Sequence, residues 1–288
     1  MLNSNIAFTL CQMLTSGAVE ALEAHASEAQ KEKYLRQIIS GNWSATMNLT
    51  EPQAGSDVGA VKTKAEPQTD GTYKIYGTKI YITYGDHDMA ENIIHLVLAR
   101  TPGAPEGTKG ISLFIVPKFF VNDDGSLGDR NDVKCIGLED KLGIHASPTC
   151  VMSFGENDGA VGWLIGAENT GMAAMFTMMN NARLNVGIQG VGLAEQATQI
   201  AMSYAADRVQ GRAPDAERGD NTPVPIATHP DVRNMLMTMR SLTDAARAIC
   251  YENGVFHDLA HFGGDEKAKA FNDLLTPISK AFSTDIAN

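Results

Sequence analysis

Three common chemistry-bearing patterns fail on spacing or context in this chain. Gly187-Ile-Gln-Gly190-Val-Gly192 has the glycines of a dinucleotide loop in reversed spacing, inside a helical pattern with no strand before it. A dinucleotide site needs strand, glycine turn and helix in that order, because the helix N-terminus receives the pyrophosphate. Close helix–helix contact explains these glycines better, since it offsets the roughly 1 kcal/mol that each mid-helix glycine costs. His257-Asp-Leu-Ala-His261 sets two imidazoles one turn apart. Asp is short for the Glu of a metal-binding helix and no third ligand is evident, so an exposed helix face is expected and no metal. No Gly-x-x-x-x-Gly-Lys-Ser/Thr run occurs, which excludes a P-loop. The segment Leu49-Thr50-Glu51-Pro52-Gln53-Ala54-Gly55-Ser56-Asp57 is different. Its hydroxyls, glycine-permitted turns and free backbone N–H groups can lie against a flat polar heterocycle or wrap an anionic tail. An ordinary connecting loop has the same composition, so its surroundings must decide.

Those surroundings have three textures. Residues 5–40 are rich in Ala, Leu, Met and Glu at helical spacing; Ser27 and Gln30 form a candidate capping box for a helix through Arg36, and Gly41 closes it. From Trp43 to about Phe154, short runs of β-formers alternate with turns. Val61–Glu66, Tyr73–Tyr76 and Lys79–Ile82 alternate, with a hairpin signal at Asp70-Gly71. Ile93–Ala99 and Ile111–Val116 are continuous apolar runs expected to be buried on both faces; Cys135–Leu138 and Thr149–Phe154 are further strands. Many short strands of this kind predict an antiparallel barrel or sandwich. The helical period returns in Thr170–Val209, then in Pro230–His261, and again from Asp265 to the end. The expected domains are 1–42, helical; 43–158, a β-barrel; and 159–288, the first part of a helical bundle.

Composition narrows the function classes. The chain has 288 residues, 43% of them hydrophobic, and a net charge of −11. That charge opposes nucleic-acid binding, and an anionic ligand would need a few local donors. No run of about 18 uncharged apolar residues is present, so no transmembrane segment is expected. The start lacks the features of a signal peptide. Cys11, Cys135, Cys150 and Cys250 are widely spaced and form no Cys-x-x-Cys pair, which suggests reduced thiols and a cytoplasmic protein.

The wording of the loop is specific. Leu-Thr-Glu-Pro-x-x-Gly-Ser-Asp resembles the signature of the acyl-CoA dehydrogenase family, and the likeness continues along the chain. Lys79-Ile-Tyr81-Ile82-Thr83 resembles the family's strand beside the flavin, and Lys141-Leu-Gly-Ile-His-Ala-Ser147 its segment near the end of the β domain. Glu168-Asn-Thr-Gly171 and Asn181-Ala-Arg183 resemble the start of its C-terminal helices. Arg208-Val-Gln210-Gly-Arg212 and Leu275–Lys280 are most similar to the longer subfamily that includes 3-methylmercaptopropionyl-CoA dehydrogenases. Asn48, Tyr81 and Tyr84 depart from the usual residues, Tyr81 keeping an aromatic face where Trp is more frequent.

The resemblance implies an α+β, acyl-CoA dehydrogenase-like fold: a central antiparallel β-barrel domain flanked by helical regions and truncated at both ends. It implies FAD as cofactor and α,β-dehydrogenation of an acyl-CoA thioester. Thr50 and Thr83 would meet the flavin's polar edge, with Met47, Leu49, Tyr81 and Ile82 beside its apolar face. Ser56, Asn180 and Arg183 would reach the CoA portion, while Arg208 and Gln210 would meet FAD pyrophosphate across a subunit interface. On a continuous helix Arg183 and Arg208 stand about 37 Å apart, too far to share one ligand. A homo-oligomer, dimer or tetramer, and an electron-transfer flavoprotein as acceptor are also implied. The family's catalytic Glu would lie beyond Asn288, and Ala182 stands where some members carry the base, so no catalytic residue is expected in this stretch. The alternative is a non-catalytic relic that binds flavin or acyl-CoA or only oligomerises. General-base catalysis alone is typically worth roughly 10²–10⁴-fold, so the chain supplied with FAD is expected not to dehydrogenate acyl-CoA. Anaerobic titration with several acyl chain lengths checks this, and flavin bleaching would show that another carboxylate serves as base.

Overall fold

A computed structural model describes residues 5–288. These fall into two units, Ile6–Ala182 and a unit built on Arg183–Asn288. In the first, α1 (Ile6–His25) buries Leu14, Gly17, Ala18, Ala21 and Leu22 on one face, the i, i+3, i+4, i+7 stripe of an amphipathic helix. The expected capping box is present: Gln30 N donates to Ser27 Oγ at 3.3 Å and Ser27 N to Gln30 Oε1 at 2.9 Å. The segment runs as α2 (Glu28–Gln30), a π-helical turn (Lys31–Leu35) and α3 (Arg36–Ile39), slightly past the expected end at Arg36. Gly41, with φ 81°, closes it. Tyr34 in the π turn is buried between Trp43 and Trp163, its ring centre 6.5 Å from each.

Ten strands follow: β1 (Trp43–Asn48), β2 (Lys64–Pro67), β3 (Tyr73–Thr83), β4 (Asn92–Ala99), β5 (Ser112–Pro117), β6 (Phe119–Val121), β7 (Leu127–Arg130), β8 (Val133–Leu138), β9 (Thr149–Phe154) and β10 (Ala160–Ile165). β6 and β7 form a separate hairpin. The central sheet has the order β1-β4-β5-β10-β3-β9-β8, with β2 on β3. The family fold class stands, but the barrel expectation is corrected in two respects. The path is open, since β1 and β8 end it without pairing to each other, and β1 runs parallel to β4, Trp43 facing Asn92 and Asn48 facing Val97. The parallel pair follows from the β2–β3 excursion between these strands, the long crossover that parallel neighbours require. Closure is unnecessary at β1 because α1 covers that strand: Ala45 N–H donates to Thr15 Oγ1 at 3.2 Å, so a helix side chain takes a ladder group that a closing strand would have used.

β4 and β5 are buried at every position, as their apolar runs predict. They share the core with Ile75, Ile82, Val133, Met152 and Phe154. The two alternating runs around Gly77 are one strand, β3, and the sheet extends past residue 158 to include β10.

In the second unit α4 (Gly171–Asp207) continues unbroken beyond Arg183. β11 (Val209–Arg212) pairs with β12 (Pro223–Pro225), followed by α5 (Pro230–His261) and α6 (Glu266–Ala287). The glycine run is a helix contact, as expected. A Cβ on Gly187 would lie 2.9 Å from the Ser279 carbonyl oxygen of α6, and one on Gly190 2.5 Å from that of Ser283. His257 and His261 lie on α5 with ring planes 6° apart. Among the described residues no helix is long and apolar enough to cross a membrane.

The contact predicts the sign of two glycine substitutions. Gly190→Ala gains about 1 kcal/mol of helix propensity but forces α6 outward at a cost of about 1–3 kcal/mol, so urea unfolding should shift to lower midpoint. Gly254→Ala on α5, where a Cβ meets nothing within 4 Å, should raise it.

Candidate functional site

After β1 the chain turns through Leu49 and Thr50 into a tight loop in which Glu51 and Ala54 exchange backbone hydrogen bonds of 3.1 and 3.0 Å. The Glu51 side chain folds beneath this loop and is only 4% exposed. Its carboxylate accepts five hydrogen bonds: from Lys79 Nζ (2.7 Å), Thr63 Oγ1 (2.6 Å), Thr63 N (3.1 Å), Lys62 N (2.8 Å) and Gln53 Nε2 (2.6 Å). Lys79 is wholly buried and also donates to the Leu49 carbonyl at 3.1 Å. Burial pushes the Glu51 carboxyl up, but the Lys79 charge and the hydrogen bonds outweigh it and hold the group at about 2. Burial draws the Lys79 amine down to about 8 against the opposing pull of Glu51. Both therefore carry charge at neutral pH.

A second tie joins loop and strand: Ile80 N–H donates to the Thr50 carbonyl at 2.9 Å. Immediately afterwards the β3–β9 register shifts between Lys79 and Ile82, and Tyr81 takes φ 59°, a left-handed value uncommon for an aromatic residue. The Tyr81 side of the strand is turned out, 60% exposed, while Lys79 and Ile82 stay inside. Thr83 resumes pairing, opposite Thr149. Tyr84, also left-handed at φ 53°, donates its hydroxyl to the Ala7 carbonyl of α1 at 2.8 Å, which fixes the strand end.

The structure thus ties Leu49 and Thr50 directly to the strand carrying Tyr81, Ile82 and Thr83, with half-buried Met47 just upstream on β1. Ile82 is 2% exposed, its side chain in the core and its carbonyl accepting from Gly85 N–H at 3.3 Å, so it lies behind this surface rather than on it. Among the described residues the Thr50 and Thr83 hydroxyls have no hydrogen-bond partner. Ser56 is exposed on the loop after Ala54, and Asn180 is exposed on α4. Arg183, Arg208 and Gln210 belong to the second unit, where Arg208 Nη2 donates to Gln210 Oε1 at 3.3 Å.

Sequence reasoning missed two groups. One is the Glu51–Lys79 pair itself; a lysine in an otherwise half-apolar strand was its only signal. The other is a polar thread beneath β1. His95, wholly buried and held neutral by burial at about 3, shares Nδ1 with Thr46 Oγ1 at 2.7 Å, and Asn48 Nδ2 donates to the same oxygen at 2.8 Å. His95 Nε2 and Asn48 Oδ1 have no partner among the described residues. Strand alternation puts Thr46 and Asn48 on the face opposite Met47. The residues facing outward suit a flat heteroaromatic ring with a polar edge: an outward aromatic side chain, apolar Met47 and Leu49, and two hydroxyls free to donate or accept. They fit the flavin that the resemblance implies.

The structure thus sets this loop against β3 of an open, mainly antiparallel sheet, and comparison with known proteins gives the family. Residues 46–156 match the acyl-CoA dehydrogenase middle domain and 169–261 the acyl-CoA dehydrogenase C-terminal domain. The chain belongs to the acyl-CoA dehydrogenase family. It is 51% identical over 288 residues to 3-methylmercaptopropionyl-CoA dehydrogenase of Ruegeria pomeroyi, covering 99% of this chain and 48% of that protein. It is 47% identical to a butyryl-CoA dehydrogenase of Syntrophomonas wolfei, covering 95% and 46%. The structure resembles butyryl-CoA dehydrogenase from Megasphaera elsdenii with TM-score 0.74 at 25% identity, over 99% of this chain and 66% of that one. The chain spans about half the length of the curated relatives it matches.

The ion pair predicts an acid limb in stability. The folded carboxyl of Glu51 sits at about 2 against an ordinary 4.5, so its stabilisation is complete above the higher value and is lost as pH falls toward the lower one. The thermal midpoint of the wild type should fall across that window. Glu51→Gln should start lower at neutral pH and lose less on acidification, a comparison made by calorimetry at stepped pH.

Proposed function

We propose that this chain carries the flavin- and thioester-binding part of an FAD-dependent acyl-CoA dehydrogenase whose whole protein desaturates an acyl-CoA between Cα and Cβ. The observation that carries the reading is the outward Tyr81 beside the Thr50 and Thr83 hydroxyls, which have no partner among the described residues, on backbone tied down by Lys79. FAD, when bound, supplies the hydride acceptor for the substrate's β-carbon. Thr50 and Thr83 hold its polar edge; Met47, Leu49 and Tyr81 cover an apolar face and exclude water, with Ile82 packed behind them in the core. Ser56, Asn180 and Arg183 bind the CoA portion, and Arg208 with Gln210 reaches the cofactor pyrophosphate of a neighbouring subunit in a homo-oligomer. In a chain of net charge −11 these local donors are what an anionic CoA ester requires. No residue of this chain is assigned the role of base, and an electron-transfer flavoprotein is the reoxidising partner.

Two measurements test the reading. Titration of flavin-free chain with FAD, followed by flavin fluorescence, should show saturable binding. Thr83→Ala removes one hydrogen bond worth about 0.5–1.5 kcal/mol, so affinity should fall roughly two- to tenfold. In the full-length parent, anaerobic addition of acyl-CoA should bleach the flavin. Absence of FAD binding by the wild type, or an unchanged affinity in Thr83→Ala, overturns the placement.

A further inference from the structure

We infer that the buried Glu51–Lys79 pair is a positioning device for the flavin-facing strip: it holds the Leu49–Thr50 backbone against β3 and thereby sets the outward placement of Tyr81, without touching the ligand. The inference rests on the flavin reading above and extends it to two residues outside the ligand surface.

Connectivity supports it. Lys79 is the last residue of β3 before the register shift, and from there its ammonium reaches the Leu49 carbonyl at 3.1 Å and Glu51 at 2.7 Å. The next residue, Ile80, bonds Thr50. Glu51 in turn grips Lys62 and Thr63, just before β2, and β2 pairs along the first half of β3, Lys64 facing Tyr76. Loop, β2 approach and β3 therefore form a closed circuit of bonds around the Leu49–Thr50 turn. With β3 held on one side of Tyr81 by Lys79 and on the other by the Tyr84 hydroxyl on Ala7, the left-handed backbone at Tyr81 is over-determined, the condition under which such a conformation persists.

Burial separates this role from direct contact. Lys79 is fully buried and Glu51 is 4% exposed, so neither side chain can reach a ligand lying on Tyr81. Stability alone does not call for the pair either, because well-packed apolar residues commonly replace a buried ion pair with no loss. What an apolar pair cannot supply is direction: an ammonium aimed at one carbonyl oxygen and a carboxylate that accepts five donors at fixed angles.

The test uses the flavin-free chain and two variants, Lys79→Met and Lys79→Met/Glu51→Gln. Lys79→Met strands a carboxylate, and both thermal midpoint and FAD affinity should fall. The double variant neutralises that carboxylate and keeps an acceptor for Thr63, so the midpoint should recover toward wild type. The Leu49 tether stays broken, so the FAD dissociation constant should remain raised by about tenfold. Recovery of affinity together with the midpoint makes the pair merely structural and overturns the inference. Amide hydrogen exchange without FAD gives a second readout: in the double variant exchange should quicken at Leu49–Ala54 and Ile80–Thr83 while the β4–β5 ladder keeps its wild-type rates. Unchanged exchange at the strip overturns the inference. A wild-type chain that binds no FAD overturns the flavin reading instead, and exchange alone then decides whether the pair positions the strip.

Discussion

Two opposite charges kept out of water organise the rim of the sheet. Burying either alone would be prohibitive, and removing one partner of such a pair typically costs about 3–5 kcal/mol because the other is left stranded. The pair therefore exists as a unit or not at all, and it brings with it everything each charge must satisfy. For Glu51 that means two backbone N–H groups and a hydroxyl from the Lys62–Thr63 segment; for Lys79 it means a carbonyl from the turn after β1. Three separate pieces of chain acquire a common reference point, and the exposed side chains between them inherit its rigidity.

The elements around this point divide the remaining work. α1 supplies the Thr15 hydroxyl that takes an edge amide of β1 and the Ala7 carbonyl that receives the Tyr84 hydroxyl. The same helix thus finishes the sheet on one side and pins the end of β3 on the other. Beneath β1, the His95–Thr46–Asn48 thread places polar atoms against β4, a strand otherwise apolar from Ile93 to Ala99. Such groups are expensive where unmatched, and the neutral imidazole is the form that burial permits.

What was legible in the sequence was whatever depends on neighbours along the chain. The Ser27–Gln30 box, the two-faced burial of β4 and β5, the bounds of Pro230–His261 and the contact meaning of Gly187 and Gly190 all follow from local spacing. Partner choice was not legible. Periodicity tells a strand which face is buried but not which strand lies beside it, so an open path with one parallel ladder was read as a barrel. Glu51 and Lys79 are 28 residues apart and each looks like an ordinary solvated charge, while His95 sits in an apolar run that gives no hint of Thr46 across the ladder. The loop's family wording singled out this segment, but the interaction that shapes it is tertiary.

The aromatic sandwich of Tyr34 between Trp43 and Trp163 has a practical corollary. These are the chain's two tryptophans, and both lie in the unit Ile6–Ala182. Intrinsic indole emission is therefore a reporter of that unit alone. Melting of α5 and α6 would pass unseen at excitation wavelengths selective for tryptophan, whereas far-ultraviolet dichroism would register it. Any divergence between the two signals on heating measures directly how independently the two halves of the chain lose their structure.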